Sequence, residues 1–333
     1  MRNIDRLAAA LAVAVMLPAS ALAQTTLIFN SYLPPFDPLH QIAVTDFAAR
    51  IEQESQGAIK VTIPDSSMAP SDRQYEMVRD GIADMAIIAS GTVPQQLRLF
   101  RIADLPLHSP SGVAASHALW ATYRQHLEPL AEFDGLKVLG VSVLPGRQLM
   151  TLGDLKIAGP EDLRGVKLWT PPGTLMATAS ALGAVPINTE FTDLQEYVTK
   201  GNVDAMIMSP GSAHAARVLE HAGGMTLIPG GLGSLSFAVA ISQERWDSLT
   251  DAERAAIGRA AEGLSERIGA AFDAFEAAAE PPFAAPEAVS GPELDAFAAI
   301  LSRQIEEWKA MARERGVEDP DEVLAFYRDA LEP

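Results

Sequence analysis

The sequence predicts an α/β protein with two lobes. Strand-like and helix-like segments alternate from residue 26 to residue 89, and the same alternation returns between residues 136 and 208. The chain has 333 residues, and about 310 remain if an N-terminal signal peptide is removed. A chain of that length usually forms more than one domain. Because it contains no cysteine, its core must be held by apolar packing without disulfides.

The first 23 residues have the pattern of a secretory signal peptide. Arg2 and Arg6 precede an apolar run over residues 7–17, and Ala21 and Ala23 form a small-x-small cleavage pattern. The apolar run is shorter than the roughly 20 residues that span a bilayer. We therefore expect cleavage before Gln24, export to the periplasm, and a mature chain without direct membrane insertion.

Five segments predict the first lobe. A buried strand is followed by a helix with one apolar stripe, an alternating strand, a second capped helix and a third strand. This β-α-β-α-β order is typical of a mostly parallel sheet. In chain order the segments are residues 26–33, 40–54, 59–63, 71–78 and 84–89.

The second lobe repeats the pattern, and the last third of the chain is helical. After a helix over 114–130, strand patterns alternate with short helices, and a glycine-rich stretch leads to one more strand. We read residues 230–233 as a flexible connection. The predicted strands are 136–144, 150–152, 166–170, 185–188, 203–208 and 236–241, and the predicted helices include 193–200, 244–280, 292–315 and 321–330.

Composition and motifs argue against several classes of function. The formal net charge of −18 disfavours nucleic-acid binding and adhesion to anionic membranes, both of which need a basic surface. The sequence has no Gly-x-Ser-x-Gly elbow and no phosphate-binding P-loop. Its six histidines lack the spacing of metal ligands. We therefore expect no catalytic residue, no metal and no cofactor.

Polar residues follow several predicted strands at the point where each strand ends. In α/β lobes, ligands bind beyond the carboxyl ends of parallel strands. A mixture of hydroxyl groups, one amide and apolar groups suits a pocket for a small polar molecule, although loops have a similar composition. The residues at these ends are Asn30, Ser31, Tyr32, Ala89, Ser90, Thr170, Pro171 and Ser209.

Several ordered segments resemble the DctP-type extracytoplasmic receptors of tripartite ATP-independent periplasmic (TRAP) transporters. No single segment is decisive, but their order and spacing over nearly the whole mature chain are specific. The strongest match is residues 160–168 (PEDLRGVKL), and the others are 47–61, 78–85 (VRDGIADM), 104–106, 182–186 and 201–204.

The resemblance implies a two-lobe fold of the periplasmic-binding-protein type, with a hinge and a long helix spanning both lobes. Such receptors close on a solute and deliver it to membrane permease subunits without catalysing a reaction. It also implies the lobe boundaries. Residues 1–23 are the signal peptide, residues 24–147 and 236–275 form lobe I, and residues 148–235 and 276–333 form lobe II.

The sequence departs from the family at the expected anion contact. Trp169 stands where the family usually has a carboxylate-binding arginine, and Met208 stands where it often has asparagine. Arg147 lies close to a second family arginine, shifted by about two residues, which preserves the face of a strand. Arg147 is therefore expected to grip an anion, unless it is a solvent-facing strand charge. Trp169 is expected to line the cleft, unless it is a core indole.

Two hypotheses on the ligand follow. In the first, Arg147 holds a carboxylate while Trp169, Phe191, Met150 and Met208 pack an apolar or aromatic body. In the second, a neutral or cationic ligand lies on Trp169. Tyr32 and Phe237 are further candidates for the cleft wall. A ligand sensor for a membrane kinase would use the same cleft, and a secreted enzyme acting on small acids is the competing class.

Overall fold

The computed structural model describes residues 24–35, 37–171, 173–189 and 191–332, without the side chain of Thr192. The expected signal peptide lies outside the described residues. The first half of the chain contains strands β1 (Thr25–Asn30), β2 (Ile59–Thr62), β3 (Met85–Ala89), β4 (Leu136–Val143) and β5 (Gln148–Leu152), and helices α1 (Pro38–His40), α2 (Phe47–Glu54), α3 (Gln74–Arg79) and α4 (Gly112–Thr122).

The second half begins with short strands and ends with long helices. Its strands are β6 (Lys167–Trp169), β7 (Val185–Ile187), β8 (Ala205–Met208), β9 (Ala222–Thr226) and β10 (Ser236–Ser242). Its helices are α5 (Thr174–Ala181), α6 (Leu194–Thr199), α7 (Pro210–Ala215), α8 (Gln243–Ser248), α9 (Asp251–Ala261), α10 (Leu264–Ala277), α11 (Gly291–Glu314) and α12 (Pro320–Asp329).

Two five-stranded sheets define the two lobes. The first has the order β2-β1-β3-β10-β4, and the second has the order β7-β6-β8-β5-β9. Three neighbouring strands are parallel in each sheet, and one antiparallel strand, β10 or β5, joins them to the last strand. Each of these antiparallel strands, β5 and β10, is the first strand that the chain adds to its sheet after crossing from the other lobe. This confirms the predicted two-lobe α/β architecture.

Both faces of each sheet are covered by helices, which is why the central strands are apolar throughout. In β3, Ala86 and Ile88 pack into one core of the first lobe, while Met85 and Ile87 pack into the core on the opposite face. The second sheet divides its residues in the same way between two smaller cores. Strand alternation therefore places every second side chain against a different layer of helices.

The expected helix over 244–280 is three helices. Thr250 caps α9 through a reciprocal pair of hydrogen bonds with Glu253. This cap separates α9 from α8. Gly263, with φ of 64°, separates α9 from α10. The last turn of α10 reaches the second lobe, where Glu276 accepts a hydrogen bond from the Gly211 amide at 2.7 Å.

Helix α11 spans the two lobes. Phe297 and Leu301 pack into a core of the second lobe, whereas Trp308 and Ala312, two to three turns later, pack into a core of the first. Helix α12 packs on the first lobe through residues including Tyr327. The packing of residues 276–333 is therefore shared between the two lobes. Their assignment to lobe II stays a prediction.

The hinge consists of residues 104–109, 144–147 and 228–235, which lie side by side between the lobes. The Arg147 amide donates to the Gly233 carbonyl at 2.9 Å, the Leu232 amide donates back to Arg147 at 2.8 Å, and the Leu107 amide donates to Gly231 at 2.8 Å. Residues 230–233 were expected to form a flexible connection, but backbone hydrogen bonds hold this glycine-rich stretch in place. Its glycines permit this close approach.

We predict that Gly146→Ala destabilises the fold by about 1–3 kcal/mol, because overpacking strains backbone that cannot move aside. A Cβ there would lie 2.6 Å from the Gly230 carbonyl oxygen and 2.7 Å from that of Ser109. Gly258→Ala is the matched control, since its Cβ would meet no atom within 4 Å and alanine favours the helix by up to about 1 kcal/mol. Urea unfolding measures both; equal stability of the two variants would contradict the close packing of the hinge.

None of the helices in the described part of the chain combines the length and the apolar composition needed to cross a bilayer.

Candidate functional site

In each sheet, the strand ends that the sequence singled out lie at the edge that faces the other lobe. In the second lobe, β6 ends at Trp169 and β8 ends at Met208, opposite the start of β5 at Gln148. In the first lobe, β1 ends at Asn30 and β3 ends at Ala89, opposite Phe237, the second residue of β10. The candidate site lies between these two edges, beside the hinge.

Arg147 lies at the edge of the second lobe, and its side chain is buried. It immediately precedes β5 and is 4% exposed, so it is not a solvent-facing strand charge. Its Nη1 donates to Ser212 Oγ at 3.0 Å and to Ser209 Oγ, and lies 3.5 Å from Glu276 Oε1. The hydrogen bonds that this guanidinium makes to described residues all leave from Nη1.

Glu276 holds this arrangement from the last turn of α10. Its Oε1 accepts from Ser209 Oγ at 2.5 Å and its Oε2 accepts from the Gly211 amide. Burial lowers the pKa of Arg147, while Glu276 and Asp37 oppose that shift. The guanidinium is therefore oriented along one edge, and the edge formed by Nε and Nη2 has the geometry for a bidentate contact with an anion.

Asp37 approaches Arg147 from the first lobe, and Tyr32 lies near Asp37. Asp37 caps α1 by accepting from the Leu39 amide at 2.8 Å, and its charge interacts with that of Arg147. Burial raises the pKa of the Asp37 carboxyl. Burial also raises the pKa of the Tyr32 phenol, and the neighbouring Asp37 raises it further. The site thus combines one cation from the second lobe with a carboxyl and a phenol from the first.

Trp169 packs within the second lobe. The indole is 3% exposed and belongs to the same apolar core as Met150 and Met208. Its Nε1 donates to Thr189 Oγ1 at 3.1 Å. Because an indole has only this donor, Trp169 can offer a ligand its apolar ring edge but no free hydrogen bond in this arrangement.

Asn30 and Ser90 are engaged inside the first lobe. The Asn30 amide nitrogen donates to Gln74 Oε1 at 2.8 Å, and its oxygen accepts from the Met68 amide at 2.9 Å. Ser90 donates to Asp104 Oδ2 at 2.8 Å and accepts from Ser236 Oγ at 2.9 Å. These two side chains brace the edge of the first lobe.

The other predicted residues are placed in different ways. Thr170 is buried and donates to the Pro171 carbonyl at 2.7 Å. Phe237 packs into a first-lobe core, and Ser209 contacts Arg147 directly. Phe191 is 44% exposed. The structure therefore brings Arg147 and Ser209 together, places Trp169, Met150 and Met208 in one core, and leaves Phe191 at the surface.

Sequence reasoning missed Asp37, Ser212 and Glu276. Asp37 had a local signal, because an Asp-Pro pair often begins a helix. Glu276 had none, since it is one of several acidic residues in a helical stretch, and its partners lie more than 60 residues away in the chain.

The fold and the facing strand ends define a two-lobe solute-binding protein, and sequence comparison identifies its family. The chain matches the bacterial extracellular solute-binding proteins, family 7 (DctP), over residues 29–309. It therefore belongs to this family.

The chain is also similar to individual relatives and solved structures. The chain is 30% identical over 333 residues to the outer membrane transporter protein TsaT of Comamonas testosteroni, covering 97% of this chain and 96% of the relative. Two solved TRAP solute-binding proteins share the fold. One, from Bordetella bronchiseptica with bound (R)- and (S)-mandelate, has a TM-score of 0.82 and 21% identity, covering 92% of this chain and 99% of its own. The other, from Rhodoferax ferrireducens with copurified benzoate, has a TM-score of 0.78 and 20% identity, covering 92% and 97%.

Proposed function

We propose that this protein is a periplasmic receptor that captures a small organic acid between its lobes and delivers it to membrane permease subunits of the TRAP type. It makes and breaks no covalent bond in this role. The observation that carries the proposal is the buried guanidinium of Arg147 at the inter-lobe edge, oriented through Nη1 by Ser209, Ser212 and Glu276.

The free edge of Arg147 supports a carboxylate as the group that is bound. A planar guanidinium holds a carboxylate through two parallel charge-assisted hydrogen bonds. Burial raises the pKa of the Asp37 carboxyl, which weakens its tendency to carry the charge that would repel a second carboxylate. The mandelate and benzoate bound by the two structural relatives are acids of this kind.

The neighbouring apolar core supports an aromatic or apolar body for the ligand. Trp169 and Met208 end β6 and β8, Met150 lies within β5, and the three side chains carry no charge. Methionine side chains adapt to irregular shapes and contact aromatic rings favourably. We therefore assign the acid group to Arg147 and the ring to the edge of this core that borders the space between the lobes.

A second candidate is a receptor for an amine-bearing ligand. Glu276 and Asp37 both interact with Arg147, so two carboxyl groups share one cation. An ammonium group on the ligand would find an acceptor in either of them. This candidate differs from the first in the sign of the ligand charge, which a direct screen separates.

A thermal-shift screen with benzoate, mandelate, benzyl alcohol and benzylamine tests the two candidates on one ring system. A ligand that binds only the folded state stabilises it by RT ln(1 + [L]/Kd), about 2.7 kcal/mol at one hundred times Kd. We expect the two acids to raise Tm and the alcohol to leave it unchanged. A rise with benzylamine alone would replace the first candidate by the second, and turnover of any compound would contradict the assignment as a receptor.

A further inference from the structure

A second concave site, which we call the α11 groove, lies on the helical side of the lobes. It is lined by five residues between positions 94 and 105 of the first lobe, by Thr174 and Ala177 of α5 in the second lobe, and by four residues between positions 304 and 311 of α11. It encloses about 330 Å³, which is within the range of small-molecule sites. It shares no lining residue with the group around Arg147.

Two arginines give the groove a positive charge. Arg98 and Arg101 both line it, and the side chain of Arg98 makes no ion pair with any residue that the structure describes. Glu307 also lines the groove, but its Oε1 already pairs with Arg303 Nε at 2.7 Å. In a chain with a formal net charge of −18, a concave surface with two guanidinium groups stands out as a site for an anion.

Arg101 is held in a defined position. Its Nη2 donates to Thr174 Oγ1 at 2.6 Å, and its Nε lies 3.8 Å from Asp104 Oδ2. Asp104 is fully buried and its pKa is raised to about 6, chiefly by desolvation. At neutral pH this carboxyl is therefore mostly ionised and offsets part of the Arg101 charge, but the separation of 3.8 Å between Arg101 Nε and Asp104 Oδ2 is too long for a hydrogen bond. Orientation before binding lowers the entropy cost of capturing a ligand.

The remaining wall of the groove is apolar. Leu105, Trp308 and Met311 line it beside the arginines. Trp308 is fixed by a hydrogen bond from its Nε1 to the Leu99 carbonyl at 3.3 Å, and the small exposed part of its ring borders the groove. A carboxylate or phosphate group beside an aromatic or aliphatic part fits this combination of charge and shape.

We propose that the α11 groove is a second binding site, for a small molecule that carries a carboxylate or phosphate group held by Arg98 and Arg101. The Arg101–Thr174 hydrogen bond joins the two lobes, so an occupant of the groove contacts both of them. Such an occupant favours the arrangement of the lobes in which both sides of the groove are present. By linkage, the groove and the central site then change each other's affinity by the same factor.

Fluorine NMR of protein labelled with 5-fluorotryptophan tests the proposal on Trp308 itself. The Trp308 resonance is identified by its loss in Trp308→Phe. Inorganic phosphate and benzoate are titrated separately to about 10 mM, ten times a Kd of about 1 mM, against sodium chloride of equal ionic strength. The proteins are the wild type, Arg98→Gln/Arg101→Gln, the exposed control Arg73→Gln, and Arg147→Met/Glu276→Gln.

We expect a saturable shift of the Trp308 resonance with at least one probe in the wild type, in Arg73→Gln and in the variant of the central site. In Arg98→Gln/Arg101→Gln the Kd should rise roughly tenfold or more, since two charge-assisted hydrogen bonds are lost. No saturable shift with either probe, or an unchanged Kd without the two arginines, overturns the proposal. Loss of the shift only in the central-site variant also overturns it, and leaves the proposed function intact.

Discussion

Replacing Arg147 by methionine should abolish binding of the acid and also destabilise the protein. Removal of a bidentate charge-assisted contact is expected to weaken a carboxylate ligand roughly 100-fold or more. The same change leaves Glu276, which is 14% exposed, without its cation in a mostly buried position. Breaking one partner of such a pair costs about 3 kcal/mol.

A second substitution separates these two effects. In Arg147→Met/Glu276→Gln the uncompensated charge is gone, and the amide oxygen introduced at position 276 can still accept from Ser209 as the carboxylate does. We expect this double variant to recover most of the stability that Arg147→Met loses, and to remain unable to bind the acid. Glu276→Gln alone keeps the cation and should bind an acid at least as well as the wild type.

Urea unfolding gives the stabilities, and isothermal titration with the acid that produces the largest thermal shift gives the affinities. The assignment of Arg147 fails if the double variant binds that acid with the wild-type affinity. The assignment of Glu276 as its structural partner fails if Arg147→Met unfolds at the same urea concentration as the wild type.

Two buried groups in the hinge should produce opposite pH dependences of stability. Burial raises the pKa of Asp104 from 3.8 to about 6. Burial lowers the pKa of His108 from 6.5 to about 4, and its two nitrogens explain why it stays neutral. Nδ1 lies 2.5 Å from the Pro106 carbonyl oxygen, to which it donates, and Nε2 accepts from Arg328 Nε at 2.8 Å.

The direction of each contribution follows from proton binding in the two states. Between pH 3.8 and 6, Asp104 is protonated in the folded state and ionised in the unfolded state, so its contribution is lost as the pH rises through 6. Between pH 6.5 and 4, His108 is neutral in the folded state and protonated in the unfolded state, so its contribution is lost as the pH falls through 4. Each amounts to about 3 kcal/mol, and the two largely cancel.

Asp104→Asn removes the contribution of Asp104 and leaves that of His108. We expect its stability relative to the wild type to rise by about 3 kcal/mol between roughly pH 4 and pH 7, because the wild type must ionise a buried carboxyl over that range. His108→Asn should gain relative stability in the opposite direction, as the pH falls. Urea unfolding at intervals of about one pH unit measures both differences. A difference between Asp104→Asn and the wild type that does not change with pH would contradict the raised pKa.

The alternation of strands and helices could be predicted because it is local. In the helical third of the chain, α11 and α12 were located to within one residue at each end, since apolar spacing and proline near the first turn mark such helices. The breaks around α9 were not foreseen, because alanine-rich sequence continues across them. A glycine at a helix boundary and one within a helix look the same in sequence.

The candidate site could be predicted only in part, because it is assembled from distant segments. The rule on strand ends found Ser209, and the family resemblance found Arg147, which lies 62 residues away from it in the chain. Neither could show that Arg147 is oriented by Glu276, 129 residues further along the chain, since nothing near Glu276 differs from other acidic helical residues. Nor could they show that the single donor of Trp169 is engaged by Thr189.

The exchange of strands between the halves has a consequence for the order in which a growing chain can acquire its structure. The second sheet is complete once residue 226 is present, because β5 to β9 are contiguous. The first sheet begins with the earliest residues, yet β3 and β4 stay apart until β10 has been made and inserted between them. The lobe whose synthesis begins first is therefore the lobe whose sheet is completed last.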